Sequence, residues 1–180
     1  MTRAAADEHD RAAVKRCLDG HGEAFGDLID QYQKPLFNVA LRVLGDVQDA
    51  EDVTQTVFLN AFLKLRTYDP RYKFFSWIYR MTVNESLNAL KRRKPTVTLE
   101  HQLHIRAAAA PDSAAEVRDQ VGKALMGLKP DDRAVVVLKH FVSFSYQEIA
   151  DVLEIPVRTV KSRLFTARER LRDALRERVR

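Results

Sequence analysis

The stretch SYQEIADVLEIPVRTVKSRLFTAR, residues 145–168, decides the fold. Tyr146 to Leu153 sets Ile149, Ala150 and Leu153 at helical spacing and predicts one short helix. Ile155-Pro156 then marks a restart, because proline in a first helical turn gives up an N–H that has no partner anyway. From Val157 the apolar positions run Val157, Val160, Leu164, Ala167, Leu171, Leu175, a core-facing stripe. Between them lie Arg158, Lys161, Ser162, Arg163, Thr166 and Arg168. Small Ala150 lets the two helices cross closely, with Val160 in the crossing. This is a helix-turn-helix pattern, and its basic second helix fits a major groove, where Arg, Lys and Ser read base edges. The same periodicity also describes an amphipathic helical hairpin with a solvated basic face.

Working outward, the 180 residues suffice for one large or two small domains, each with its own core. The net charge of +5 permits a polyanionic partner without requiring one. Its distribution says more. From Gly20 to Leu63 seven acids oppose two cations, a net of −5; from Lys64 to Lys94 nine cations oppose two acids, a net of +7. One surface should repel nucleic acid while its neighbour in sequence attracts it. Cys17 is alone and lies beside Val14 and Leu18, so a small core residue is expected rather than a disulfide or a cysteine-rich zinc site. The five histidines show no metal-ligand spacing, His101 and His104 included, and neither metal nor cofactor is expected. With no transmembrane-length apolar run and no signal-peptide pattern, a cytoplasmic protein without membrane insertion is expected.

The patterning is helical throughout, which predicts an all-α chain of two small helical domains joined by a flexible linker. Residues 7–94 form the first and 114–178 the second. Pro95 to Ser113 lacks sustained periodicity, sits between two prolines and reads as the linker. The first domain should hold helices over Asp7–Leu18, Glu23–Leu44 with a kink or local strain at Pro35, Asp46 to about Leu65, and Phe74 to about Arg93. Asp46 suits the N-cap of the third, with Asp49, Glu51 and Asp52 complementing its dipole. The apolar positions of that helix, Phe62 among them, cover more than one face. The second domain should hold Ala114–Gly127, opened by a capping box at Ser113 and Glu116, then Pro130–Val142, then the helix-turn-helix. Val117, Val121, Ala124, Leu125 and Leu128 form one stripe; Val135, Val136, Leu138 and Phe141 form part of the next.

Residues 68–84, YDPRYKFFSWIYRMTVN, interleave Tyr68, Tyr72, Phe74, Phe75, Trp77 and Tyr79 with Arg71, Lys73 and Arg80. Rings on which bases stack, beside cations that follow a phosphate backbone, are what single-stranded nucleic acid requires. A captured base also needs a polar reader, for which Asn84 is the candidate. Phe74, Trp77, Ile78 and Met81 are equally spaced as a buried stripe; Phe74 and Ile78 are assigned to core, and Tyr68, Arg71 and Lys73 to nucleic acid. Lys91 to Lys94 either complement a helix C-terminus or meet phosphate.

Taken in order, DAEDVTQTVFLNAF (49–62), a loop and FFSWIYRMTVN (74–84) resemble region 2 of bacterial sigma factors. LKPDDRAVVVLKHFVSFSYQEIADVLEIPVRTVKSRLFTARERLRDAL (128–175) resembles their region 4. With only a short linker between, the chain resembles the extracytoplasmic-function (group IV) class of the sigma-70 family over about residues 11–178. The resemblance implies a non-catalytic subunit that brings core RNA polymerase to minus-35/minus-10 promoters and promotes melting. Asp46, Asp49, Glu51, Asp52 and Gln55 would bind the clamp helices of the largest polymerase subunit. Tyr68, Arg71, Lys73, Trp77, Arg80 and Asn84 would meet minus-10 promoter DNA. Arg158, Thr159, Lys161, Ser162, Arg163, Phe165 and Arg168 would meet the minus-35 element. An anti-sigma factor is the usual further partner. Glu154 departs from the pattern, standing at the helix-turn-helix turn where glycine is common, so a strained left-handed backbone is expected there. The alternative is a free-standing helix-turn-helix regulator, which would need a sensing or phosphoacceptor domain, and no receiver-like pattern precedes residue 114. An enzyme acting on nucleic acid ranks last, for want of a carboxylate cluster, a phosphate-cradling Gly-rich loop or a nucleophile–base pair.

Overall fold

The computed structural model describes residues 3–93 and 113–176, with side chains over 5–93 and 117–176. The linker expected over Pro95 to Ser113, with His101 and His104, lies almost wholly outside them, as does Lys94. Among the described residues there are eight α-helices and no strand.

The first four helices are α1 (Arg3–Leu18), α2 (Phe25–Leu44), α3 (Val47–Leu63) and α4 (Phe74–Arg92). Helix α1 begins four residues before the expected Asp7, because the alanines that precede it extend a helix without needing an apolar face. Residues Gly22–Ala24 form a separate 3-10 turn ahead of α2, and Pro35 sits inside α2 without splitting it. Gly45 closes α2 at φ 74, in the left-handed region that glycine enters without cost, and its N–H donates to the Leu41 carbonyl at 2.8 Å. Asp46 then caps α3, its carboxylate accepting the Asp49 N–H at 2.9 Å. Leu28, Leu36, Val43, Val57, Ile78 and Val83 are wholly buried between these helices. Buried hydroxyls are satisfied within their own helices, Thr82 donating to the Ile78 carbonyl at 2.9 Å and Ser86 to that of Thr82 at 2.7 Å. Asp10 is buried too, accepting from Tyr32 Oη at 2.5 Å and Gln31 Nε2 at 2.9 Å, and burial raises its carboxyl above the usual range.

The second group comprises α5 (Ser113–Met126), α6 (Pro130–His140), α7 (Tyr146–Leu153) and α8 (Val157–Arg176). Ser113 lies inside α5 rather than ahead of it, and the side chains of the expected capping box are outside the description. Val117, assigned to the buried stripe of α5, is exposed. Helix α6 ends at His140, two residues short of Val142; Phe141 leaves the helix, Ser143 takes φ 63, and the Phe141 ring turns outward beneath the Arg42 guanidinium at 4.4 Å. A reciprocal capping box opens α7: Ser145 Oγ accepts the Glu148 N–H at 3.2 Å while Glu148 Oε2 accepts the Ser145 N–H at 2.8 Å. Glu154 ends α7 at φ 54 and ψ 43, the left-handed conformation expected for it. Val160, Leu164 and Ala167 seat α8 in the core of this group, and Ala150 is buried at the crossing.

The two groups are not separate bodies. Helix α7 packs on α4 and α6 packs on α2, so that one hydrophobic core runs through both. Periodicity within a helix reports which face is buried, not which distant helix covers it.

Candidate nucleic-acid interface

The loop before α4 is a folded unit rather than a row of free rings. Tyr68 is buried, its ring centroid 5.3 Å from that of Trp77 and 5.7 Å from that of Phe74, and its hydroxyl donates to the Tyr72 carbonyl at 2.5 Å. Arg71 Nε and Nη2 both donate to Asp69 Oδ2, at 2.8 and 2.6 Å, and Nε also reaches Oδ1 at 3.1 Å, which holds the Asp69 carboxyl below its usual range and the Arg71 guanidinium above its own. Lys73 Nζ lies 3.0 Å from Asp7 Oδ2, tying the loop to α1. Phe74 and Ile78 are core residues, as assigned. Trp77 is half-buried and Asn84 exposed on α4, with Arg80 between them on the same face by helical spacing. Tyr72 is left exposed.

A cleft of about 1000 Å³ opens between this loop and the helix-turn-helix. Tyr68, Arg71, Lys73, Trp77 and Arg80 line one side; Glu148, Asp151 and Glu154 line the other. Of the six residues expected to meet minus-10 DNA, Asn84 alone does not line it.

The basic face of α8 is continuous. Arg158, Lys161, Ser162, Phe165 and Arg168 are exposed at spacings of three and four, one side of a helix. Phe165 is 69% exposed, an apolar ring with no cover among the described residues. Thr159 and Arg163 stand off that face, half-buried, with Arg163 Nη1 3.9 Å from Asp131 Oδ1 of α6. His140, at the end of α6, was not singled out by its spacing; burial first, then Arg168 and Lys139, lowers its pKa from the ordinary value. Lys139 Nζ donates to the Phe144 carbonyl at 3.0 Å and lies 4.9 Å from the Tyr146 ring centre, bracing the α6–α7 connection.

The acidic residues of α3 divide in two. Asp46 is consumed in capping, and Asp49 is paired with Arg93 at the end of α4. Glu51, Asp52 and Gln55 are exposed, and Glu51 and Gln55 border a groove of about 490 Å³ with Asp30, Lys34 and Phe37 of α2. Farther along α3, Leu59 (60%), Phe62 (48%) and Leu63 (68%) are exposed. The spread of apolar residues over several faces of this helix was the signal for them; Phe62 belongs to this open face, with its ring edge-on to Phe25 at 5.2 Å. Apolar side chains gathered beside carboxylates suit a protein partner better than DNA.

The sigma-70 region 2 family model matches residues 28–96, and the sigma-70 region 4 model matches residues 118–171. The ECF RNA polymerase sigma factor SigW of Bacillus subtilis (strain 168) is 30% identical over 178 residues, covering 91% of this chain and 95% of its own length. The RNA polymerase sigma-H factor of Pseudomonas aeruginosa is 33% identical over 184 residues, covering 93% and 94%. Among solved structures, CnrH in complex with the cytosolic domain of CnrY is 26% identical and superposes with a TM-score of 0.74, over 94% of this chain and 98% of that one. With most of α2 and all of α3 and α4 inside the first family match and α6–α8 largely inside the second, this chain belongs to the extracytoplasmic-function class of sigma-70 family RNA polymerase sigma factors.

Proposed function

We propose that this alternative sigma factor binds core RNA polymerase through α3, holds the minus-35 element on α8, and captures minus-10 bases at the loop and α4. The observation that carries this is the separation of surfaces within one chain. An exposed basic helix and an aromatic–cationic loop adjoin an acidic and apolar helix that DNA would avoid. The relatives' names, which join them to RNA polymerase, support the same partner here. Residues 7–94 form the unit for core and minus-10 binding, 114–178 the unit for minus-35 binding, and 95–113 the connection. The chain supplies recognition and base capture but no catalytic step of its own, and works in the cytoplasm with the polymerase. A second protein that holds the factor inactive, an anti-sigma factor, fits a class in which CnrH was solved with the cytosolic domain of CnrY.

The test is retention of promoter DNA with and without core polymerase. Retention only when core is present is the expected result; equal retention by the chain alone would make it a free-standing regulator instead. On the same templates, Asn84→Ala should reduce permanganate reactivity of the minus-10 bubble several-fold while closed-complex retention stays near normal. A short polar side chain exposed beside Trp77 and Arg80 reads a base only after it leaves the stack. Unchanged reactivity in a normally folded mutant would remove Asn84 from the site.

A further inference from the structure

The minus-10 loop is held from behind by α1, which lies outside both the docking helix and the recognition helix. It packs on α4 and on the 3-10 turn Leu65–Thr67 where the loop starts. Asp7 and Asp10 lie three residues apart on one side of it. Asp10 is followed by Ala13 and Val14 along the buried stripe, so a carboxylate occupies a position that packing alone would give to an apolar residue. At 1% exposure it has lost its water, and burial raises its carboxyl against Tyr32 and Gln31, whose hydrogen bonds lower it. Such a group adds little stability that an apolar side chain of similar size would not. What it adds is direction, because a hydroxyl tied to a carboxylate admits one ring position where apolar contact admits several.

That ring leads to the site. Tyr32 donates to Asp10 Oδ2 at 2.5 Å, and its ring is tilted against that of Phe74 at 5.7 Å. Phe74, 2% exposed in the first turn of α4, stands 5.7 Å from Tyr68 and 5.6 Å from Trp77. Tyr68 and Trp77 are 5.3 Å apart and line the cleft together. The path from Asp10 to Trp77 thus passes through two rings, Tyr32 and Phe74.

A second tie acts on the backbone. Lys73 stands at the N-cap of α4, and a lysine side chain has no acceptor to offer the first N–H groups of the helix. Its carbonyl accepts the N–H of Ser76 at 3.1 Å and that of Trp77 at 3.3 Å. Asp7 Oδ2 lies 3.0 Å from the Lys73 ammonium, so the residue to which the Trp77 backbone bonds is moored to α1. The Tyr68 hydroxyl is raised by burial, and among the charges that act on it are Arg11, Asp10 and Asp7, all of α1.

We propose that Asp10 and Asp7 are positioning residues for base capture: Asp10 orients Trp77 and Tyr68 through Tyr32 and Phe74, and Asp7 fixes Lys73 at the start of α4. This rests on the reading of the loop and α4 as the minus-10 face. Both residues act from behind the rings, and neither meets the promoter itself. Asp10 supplies an acceptor rather than a charge, since an asparagine there keeps an oxygen for Tyr32 and turns its amide toward Gln31.

Trp77 is the only tryptophan of the chain, so its emission and its quenching by acrylamide report this wall of the cleft in the full chain without polymerase. Asp10→Ala and Tyr32→Phe should shift that emission and raise the quenching, while Asp10→Asn should stay close to the parent in both. Asp7→Asn, which breaks a partly exposed ion pair, should fold normally and raise the quenching by itself, should Asp10→Ala fold poorly. In holoenzyme, the variants that loosen Trp77 should lower permanganate reactivity of the minus-10 bubble several-fold, with affinity for core polymerase unchanged. Val39→Ala, a buried truncation two turns along α2 from Tyr32, should lower the melting temperature and move neither readout. Emission and quenching unchanged in Asp10→Ala, Tyr32→Phe and Asp7→Asn would overturn the proposal. An equal change in Val39→Ala would overturn it too, by making the effect one of stability alone. A Trp77 shift with full bubble reactivity would overturn the link to base capture. If Asn84→Ala also melts promoters normally, the failure lies in the reading of α4, and the Trp77 measurement still decides the positioning.

Discussion

Leu164→Ala should unfold region 4 at a temperature roughly 4–20 °C below the parent, while Lys161→Ala, three residues earlier on the same helix, should leave the melt where it was. Leu164 is 1% exposed, facing the core that α8 shares with α6 and α7. Removing a buried isobutyl group costs about 2–5 kcal/mol, the lost transfer energy plus the cavity left behind, and each kcal/mol moves the midpoint of a chain this size by about 2–4 °C. Lys161 is exposed on the face formed with Arg158, Ser162, Phe165 and Arg168. If its ammonium reads a base edge, Lys161→Ala should weaken holoenzyme binding to the cognate minus-35 element by roughly 1–3 kcal/mol, about five- to 150-fold, and spare a scrambled element. A phosphate contact would weaken both alike and lower the salt slope by about one. Calorimetry and binding titrations at two salt concentrations decide the matter. A melt for Leu164→Ala equal to the parent's, or full promoter affinity for Lys161→Ala on both elements, would contradict this account of the helix.

The second large effect belongs to α3. Asp52→Lys combined with Leu59→Lys should lower affinity for core polymerase by about 2 kcal/mol or more, roughly thirtyfold, with little change in melting. Both side chains are exposed, and neither is built into the packing of the first four helices. Asp49→Lys should behave in the opposite way. Its carboxylate is paired with Arg93 and lies in the first turn of α3, so reversal sacrifices an exposed ion pair worth about 0–1 kcal/mol and a dipole interaction of about 0.3–1 kcal/mol. The melt should therefore shift while core binding falls less. A competition assay in which Asp52→Lys/Leu59→Lys binds core as tightly as the parent would move the docking surface off this helix.

The features legible in the amino-acid sequence have a common character: each signal acts within a few residues. Asp46 caps α3 because its carboxylate reaches the N–H three residues on. Pro130 opens α6, and Glu154 is forced left-handed by the turn it occupies. The stripe Val160, Leu164, Ala167 is buried because a helix repeats every 3.6 residues. These relations determined the helices and the basic face of α8, and with the order of the two motifs they determined the family.

Local pattern was silent wherever a partner lay far along the chain. Asp49 and Arg93 are 44 residues apart, Arg80 and Glu154 are 74 apart, and Arg133 and Val43 are 90 apart. Nothing near Asp49 marks it as spoken for, and nothing near Phe144 shows that its ring will lie against α4. Phe62 and Phe141 have the same composition signal as the buried phenylalanines, yet both are open to solvent. An apolar residue at helical spacing records that a face should be covered, and the free energy is nearly the same whichever helix covers it. The tertiary structure alone decided that α7 covers α4 and α6 covers α2. It was settled by the fit of the Phe144 ring against Phe75 and Tyr79 and by the Val43 carbonyl at the end of α2, which Arg133 reaches from α6.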